Sequence, residues 1–246
     1  MPDLAIIGGT GLTMLANLTI TCQEDVHTPY GDPSGPVTHG SLRDHKVLFL
    51  ARHGYRHTVP PHLINYRANL WALKESGATH IIAIGAVGGI RADMAPGELA
   101  VPDQIIDYTW GREHTFFGPG LTEFTHIDFT RPYCQELRSL LLGAGDEAGI
   151  AVRRDGTYGA TQGPRLESAA EIDRMERDGC HMVGMTGMPE AALAREIGMC
   201  YAHCAVVANW AAGRESETID MRDIDRNLTR GMEKLRRLLE KIVTLI

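Results

Sequence analysis

The sequence predicts an α/β fold in a single domain over residues 1–246: a central mixed, largely parallel twisted sheet flanked by helices. Short apolar runs of strand length recur at residues 4–7, 46–50, 80–84 and 201–207, each followed by small or turn-forming residues. Stretches with helical periodicity stand between them, and strands that alternate with helices make parallel sheets covered on both faces. The chain has 246 residues, 43% apolar and 22% charged, enough to bury one large core.

Each element has a local cause. The four apolar runs are too short for helices, and their continuous hydrophobicity suits strands buried on both faces. Helices are expected over 65–76 and 132–148. A third, over 168–178, opens with Ser168 and Glu171 at the spacing of a capping box. Pro189 stands where a helix tolerates proline best, at the start of a fourth over 189–197. In the tail, Met221, Ile224, Leu228, Leu235, Leu239 and Ile242 form one apolar stripe expected to face the core. Residues 109–130, rich in Gly, Thr and aromatics, read as a long surface loop of the kind that completes a site or an interface.

Composition narrows the function. A formal net charge of -7 with dispersed Lys and Arg argues against nucleic acid as a partner. No run approaches the roughly 20 apolar residues that span a bilayer, and the start lacks a basic segment followed by a long apolar one, so a cytoplasmic protein is expected. The five cysteines are odd in number and irregularly spaced, which reads as reduced, structural thiols.

Three small-residue segments follow predicted strands at the edge where α/β sheets collect ligands. Gly8-Gly9-Thr10-Gly11 can turn backbone N–H groups toward an anion while Thr10 adds a hydroxyl. It lacks the later glycine of a dinucleotide fingerprint and the Gly-Lys-Ser/Thr ending of a P-loop, and by itself it equally suits a plain tight turn. Arg52-His53-Gly54 offers a planar guanidinium fork to phosphate oxygens, with a histidine beside it as a further donor. His53, His57 and His62 do not make a metal site on this pattern, because Pro60 and Pro61 interrupt any helix and no carboxylate stands at ligand spacing. Gly85-Ala86-Val87-Gly88-Gly89 brings a third flexible backbone segment to the same edge. Their convergence, with an arginine and a threonine, points to phosphate chemistry.

Gly8-Gly9-Thr10-Gly11, Ala51-Arg52-His53-Gly54, Asn65-Tyr66-Arg67-Ala68-Asn69, Gly163-Pro164-Arg165 and Met185-Thr186-Gly187-Met188-Pro189-Glu190, in this order over nearly the whole chain, resemble the trimeric purine nucleoside phosphorylases. The methylthioadenosine phosphorylase branch is the most similar. The resemblance implies the nucleoside phosphorylase fold and a phosphate site of Thr10, Arg52, His53, the Gly85 and Ala86 backbone and the Thr186 hydroxyl. It places Met185 against the ribose and implies a homotrimer, or a dimer of trimers, with His126 reaching a neighbouring subunit's site. Inorganic phosphate is then a co-substrate, and no cofactor or metal is implied.

Two departures from the adenine-specific pattern bear on the base. Where that branch carries Thr-Asp-x-Asp, this chain has Ala208-Asn209-Trp210-Ala211. An asparagine amide can accept from a protonated purine N7 and donate to O6. Leu166 and Glu167 replace an aromatic and a serine; a carboxylate accepts the N1 proton of a 6-oxopurine and repels the bare N1 lone pair of adenine. Asn209, Trp210, Ala211, Leu166 and Glu167 are therefore the expected base site, with Asn209 as the catalytic group that stabilises the leaving purine. No histidine follows His203 to hold a 5'-hydroxyl, which favours an apolar pocket with Ile219, Met221 and Ile224 as candidates for a methylthio group. The expected reaction is phosphorolysis of S-methyl-5'-thioinosine. Alternatives in the same class are a methylthioadenosine phosphorylase and an inosine or guanosine phosphorylase; a non-catalytic nucleoside-binding sensor is the alternative from another class.

Overall fold

The computed structural model describes residues 4–9, 17–118, 124–215 and 220–246. Strand β1 (Leu4–Gly8) is followed by β2 (Thr19–Glu24), β3 (Val37–Leu42) and β4 (His45–Ala51), then helix α1 (Tyr66–Glu75) and the long strand β5 (His80–Gly89). Short strands β6 (Leu99–Ala100) and β7 (Gln104–Asp107) precede α2 (Gln135–Ala148), β8 (Val152–Arg153) and β9 (Thr157–Ala160). The chain ends with α3 (Ala169–Arg177), β10 (Met182–Gly184), α4 (Gly187–Glu196), β11 (Cys200–Trp210) and α5 (Met221–Ile242).

All the strands join one sheet, in the order β2-β3-β4-β1-β5-β10-β9-β7, with β11 on the other side of β5 and β6 and β8 beyond it. β1 runs parallel to β4 and to β5, and β5 runs parallel to β11 from Cys200↔His80 to Trp210↔Gly89. The β2–β3–β4 stretch is antiparallel, as are β10 on β5 and β6 on β11. The mixed, largely parallel sheet expected from sequence is present.

Alternation splits the core in two, as period-2 strands require. Ile7, Leu48, Leu50, Ile81 and Ala83 face the side covered by α1 and α4. Ile6, Val47, Phe49, Ile82 and Ile84 face the side covered by α2 and α5. On α5 the buried stripe runs from Leu228 through Leu235 and Leu239 to Ile242. Met221 and Ile224 depart from the expected core stripe: Met221 is 62% exposed, the buried residues of α5 begin at Leu228, and both side chains border a cavity instead.

Three further expectations change. The glycine-rich segment at 85–89 is strand, not loop, because β11 supplies it with partners to its end. Residues 109–118 and 124–130 carry no helix or strand, yet Arg112 within them is buried. The cysteines are not all thiols: Cys134 and Cys200 form a disulfide across 66 residues. The Cys134 amide donates to the Tyr201 carbonyl at 2.8 Å, which brings the start of α2 against the start of β11, a contact that spacing along the chain could not reveal.

Candidate active site

A cavity opens at the carboxyl ends of β1, β4, β5 and β11, where open α/β sheets gather ligands. Gly9 follows β1, Arg52 and His53 follow β4, Gly85 and Ala86 belong to β5, and Asn209 and Ala211 come from the end of β11. Met185 and Thr186 enter between β10 and α4, Leu166 and Glu167 precede α3, and Met221 and Ile224 close the far side from α5. Trp210 does not line this cavity, and His126 is exposed in the segment before α2, beside Phe124. Thr10 and Ile219 lie outside the described residues.

Arg52, His53 and Thr186 come together at one end of the cavity. Arg52 is fully buried, and its Nε and Nη2 donate to the two Glu190 oxygens, both at 2.7 Å. Nη1 donates to the Ile84 carbonyl at 2.7 Å. Burial opposes the guanidinium charge, but Glu190 more than offsets this and raises its pKa. The expectation that the flat fork faces phosphate is corrected here: the fork is committed to Glu190, and of five N–H groups only two Nη hydrogens remain for a ligand. Gly9 permits this arrangement, since a Cβ there would stand 3.0 Å from Arg52 Nη1 and 2.7 Å from the Ile84 carbonyl.

His53 also differs from expectation. Its Nδ1 lies 2.8 Å from the Val59 carbonyl, which can only accept, so Nδ1 carries the proton. Burial, together with the adjacent Arg52 charge, lowers its pKa to about 4. The ring is neutral at pH 7, and Nε2 is an acceptor, suited to the hydroxyl of a protonated phosphate. Thr186 is the N-cap residue of α4, but its side chain makes no capping bond. Its Oγ1 lies 3.6 Å from where a Gly85 Cβ would stand, so the absent side chain lets hydroxyl and strand meet. β1 pairs with β5 only as far as Ala83, and β10 begins at Gly88, which leaves an open edge between. The Ile84 carbonyl on that edge takes Arg52; alternation then turns the Ala86 amide, rather than that of Gly85, to the same edge.

The other end carries Leu166, Glu167, Ala208 and Asn209. Pairing of β11 with β5 slips between Val207 and Asn209, so Ala208 is the extra residue of a bulge. Ala208 and Asn209 both reach the cavity wall as a result. Asn209 Nδ2 donates to the Trp210 carbonyl at 2.6 Å, which fixes the amide and leaves Oδ1 and one N–H for a ligand. Trp210 thus orients Asn209 through its backbone. Glu167 Oε1 accepts from Thr161 Oγ1 at 2.6 Å. Leu166 is 43% exposed at the rim, where it can cover one face of a base.

The sequence matches the model of the phosphorylase superfamily over residues 3–244. The chain belongs to the phosphorylase superfamily. Among its relatives is a probable S-methyl-5'-thioinosine phosphorylase of Pseudomonas syringae pv. tomato, 52% identical, with 99% of each chain covered. A 6-oxopurine nucleoside phosphorylase of Pyrococcus furiosus is 43% identical over 100% of this chain and 94% of its own. A solved methylthioadenosine phosphorylase from Schistosoma mansoni, in complex with adenine, superposes with a TM-score of 0.94 at 32% identity, covering 100% of this chain and 91% of the other. The nucleoside phosphorylase fold expected from the motifs is therefore the fold of this chain.

Several groups of this phosphorylase were not assigned from sequence. Glu190 had no stated role, although an arginine buried beside a sheet needs a carboxylate, and Tyr201 Oη also donates to it at 2.8 Å. Arg112 donates to the carbonyls of Met185 at 2.8 Å, Met188 at 2.6 Å and Gln162 at 2.8 Å, joining the two segments that carry Met185 and Thr161. No local pattern marks such a residue, because its partners, these carbonyls together with Tyr66 Oη and Gln162 Oε1, are all distant in sequence. Among the described residues, no group of three or more His, Cys, Asp or Glu side chains is placed to hold a metal ion. No helix of the described residues is long and apolar enough to cross a membrane.

Proposed function

We propose that the chain cleaves S-methyl-5'-thioinosine with inorganic phosphate to give hypoxanthine and S-methyl-5-thio-α-D-ribose 1-phosphate. The observation that carries this reading is the placement of Glu167 and Asn209 at one end of a cavity whose other end holds Arg52, His53 and Thr186. Phosphate is already anionic at neutral pH and needs no protein base. One of its oxygens attacks the anomeric carbon from the face opposite the purine, the bond to N9 breaks through an oxocarbenium-like transition state, and the configuration inverts. The bonding pair passes into the purine, which gains a proton at N7 from solvent. Asn209 Oδ1 accepts from that N–H while its amide donates to O6, an interaction strongest as the base departs.

Glu167 accepts the N1 proton of hypoxanthine, and adenine has none to offer. Met185 borders the sugar, and Met221 and Ile224 supply an apolar wall for the 5'-methylthio group. Thr10 would add a hydroxyl to the anion end. The relative from Pseudomonas syringae supports the thioinosine assignment, and the 6-oxopurine relative supports the base preference. Inosine or guanosine phosphorolysis is the neighbouring reading, since it shares the base end and differs only at the 5' wall. The working protein is a cytoplasmic homotrimer in this proposal, with His126 entering a neighbouring subunit's site, and it uses neither cofactor nor nucleic acid.

The test is purine release from S-methyl-5'-thioinosine, S-methyl-5'-thioadenosine and inosine, each with and without phosphate. Phosphate-dependent preference for thioinosine is expected. Preference for thioadenosine defeats the account of the base end, and preference for inosine defeats that of the 5' wall.

A further inference from the structure

We propose that Thr161 and Glu171 set the purine preference as positioning residues, by fixing one oxygen of the Glu167 carboxylate and by keeping Arg165 from pairing with the other. The inference rests on the reading of Glu167 as the group that meets purine N1.

Glu167 borders two spaces. One is the cavity that holds Asn209; the other is an adjoining groove whose wall includes Arg165 and Arg174. A carboxylate in this position has two cations within its neighbourhood on the groove side, and pairing with either would occupy the acceptor that a 6-oxopurine requires. Among the described residues, neither arginine makes an ion pair with Glu167.

Two contacts account for that. The first is the 2.6 Å bond from Thr161 Oγ1 to Glu167 Oε1. A hydroxyl has one proton, and the Gly184 carbonyl, its other acceptor, is farther away at 3.3 Å, so the proton belongs to the carboxylate. Thr161 is an immobile anchor: it is 8% exposed, its amide donates to Gly184 at 2.8 Å, and its carbonyl accepts from Arg112 Nη2 at 3.2 Å. With Oε1 held, Oε2 is the oxygen left for N1–H.

The second contact removes the competitor. Arg165 turns its two Nη groups to Glu171, at 2.9 and 2.7 Å, instead of to Glu167 two residues away. Glu171 is itself fixed, since its Oε2 also accepts from the Ser168 amide at 2.7 Å within the capping box of α3. Arg165 and the Ser168 amide hold the Glu171 carboxyl down at about 2, so it stays charged wherever the enzyme works. The start of α3 therefore acts on specificity without touching substrate.

The experiment compares kcat/KM for S-methyl-5'-thioinosine and S-methyl-5'-thioadenosine in the wild type and in Thr161→Val, Thr161→Ser and Glu171→Gln. Glutamine keeps the capping-box chemistry, so α3 is preserved. Thr161→Val is expected to lower the thioinosine preference about tenfold, the scale of one hydrogen bond to a charged group, and Thr161→Ser to restore it. Glu171→Gln is expected to lower it about threefold at low salt, with the loss fading as salt screens the released Arg165. Thermal melting accompanies each assay. If the wild type prefers the 6-oxopurine and both Thr161→Val, melting normally, and Glu171→Gln keep that preference unchanged, the proposal alone is overturned. A wild type that prefers thioadenosine overturns the base reading and the proposal with it.

Discussion

The two ends of the cavity are built to different standards of rigidity. At the anion end, Arg52, Glu190 and Tyr201 are each at most 2% exposed and share bonds of 2.7 to 2.8 Å. At the base and 5' end, Leu166 is 43% and Met221 62% exposed, and Asn209 and Glu167 are each held by one side-chain bond. On the proposed function, the rigid end suits a fixed task, placing phosphate, and the exposed rim an adjustable one, choosing the nucleoside. A buried charged pair tolerates no change in one partner, whereas a rim of half-exposed side chains can be re-tuned one group at a time.

Glu190 is the position most sensitive to change. Glu190→Ala leaves Arg52 buried without its partner and is predicted to destabilise the fold by about 3–5 kcal/mol, read from urea unfolding. A loss below about 1 kcal/mol would show that the anion end is not the rigid one. Next in size, Asn209→Ala is predicted to lower kcat by about 10²-fold, the scale of losing an oxyanion donor, with its melting temperature near that of the wild type. Unchanged turnover in that variant removes Asn209 from the chemistry.

Acidification from neutral pH reaches two buried histidines first. Burial, with the Arg52 charge, lowers the His53 pKa to about 4, and the same two causes lower that of His203 to about 3, both from 6.5. The unfolded chain binds these protons first, so stability is full above pH 6.5 and falls as pH drops from 6.5 toward 4, by up to about 1.4 kcal/mol per pH unit for each histidine. Urea midpoints measured between pH 7 and pH 4 test this, and the decline should be shallower in His203→Gln. A flat profile would contradict the neutral assignment of both rings. The smallest effect belongs to the far wall: Met221→Ala is expected to raise KM for the methylthio nucleoside roughly fivefold and leave that for inosine unchanged, a contrast visible in steady-state kinetics.

Much of the architecture could be read from the sequence because its causes are local. The apolar runs at 4–7, 46–50, 80–84 and 201–207 announce strands on their own, and Ser168 with Glu171 announces the start of α3. β2 escapes such a reading because all its residues are exposed, and β10 because three residues carry no periodicity. Most residues chosen for the cavity do meet there, since motifs at strand ends converge by topology. The state of those residues could not be foreseen. Arg52 is paired across 138 residues to Glu190, and the acceptor role of His53 follows from a Val59 carbonyl whose position depends on the turn between them. The Cys134–Cys200 bridge belongs to the same class, a contact between elements that only the folded sheet brings together.

The surplus residue in β11 gives the molecule a vernier. Every partner up to Val207 and from Asn209 onward stays in step with β5, so the strand can take up or release one residue at Ala208 without re-registering the rest of the ladder. Ala208 and Asn209 are thereby both brought to the cavity wall while the pairing on either side of them is kept.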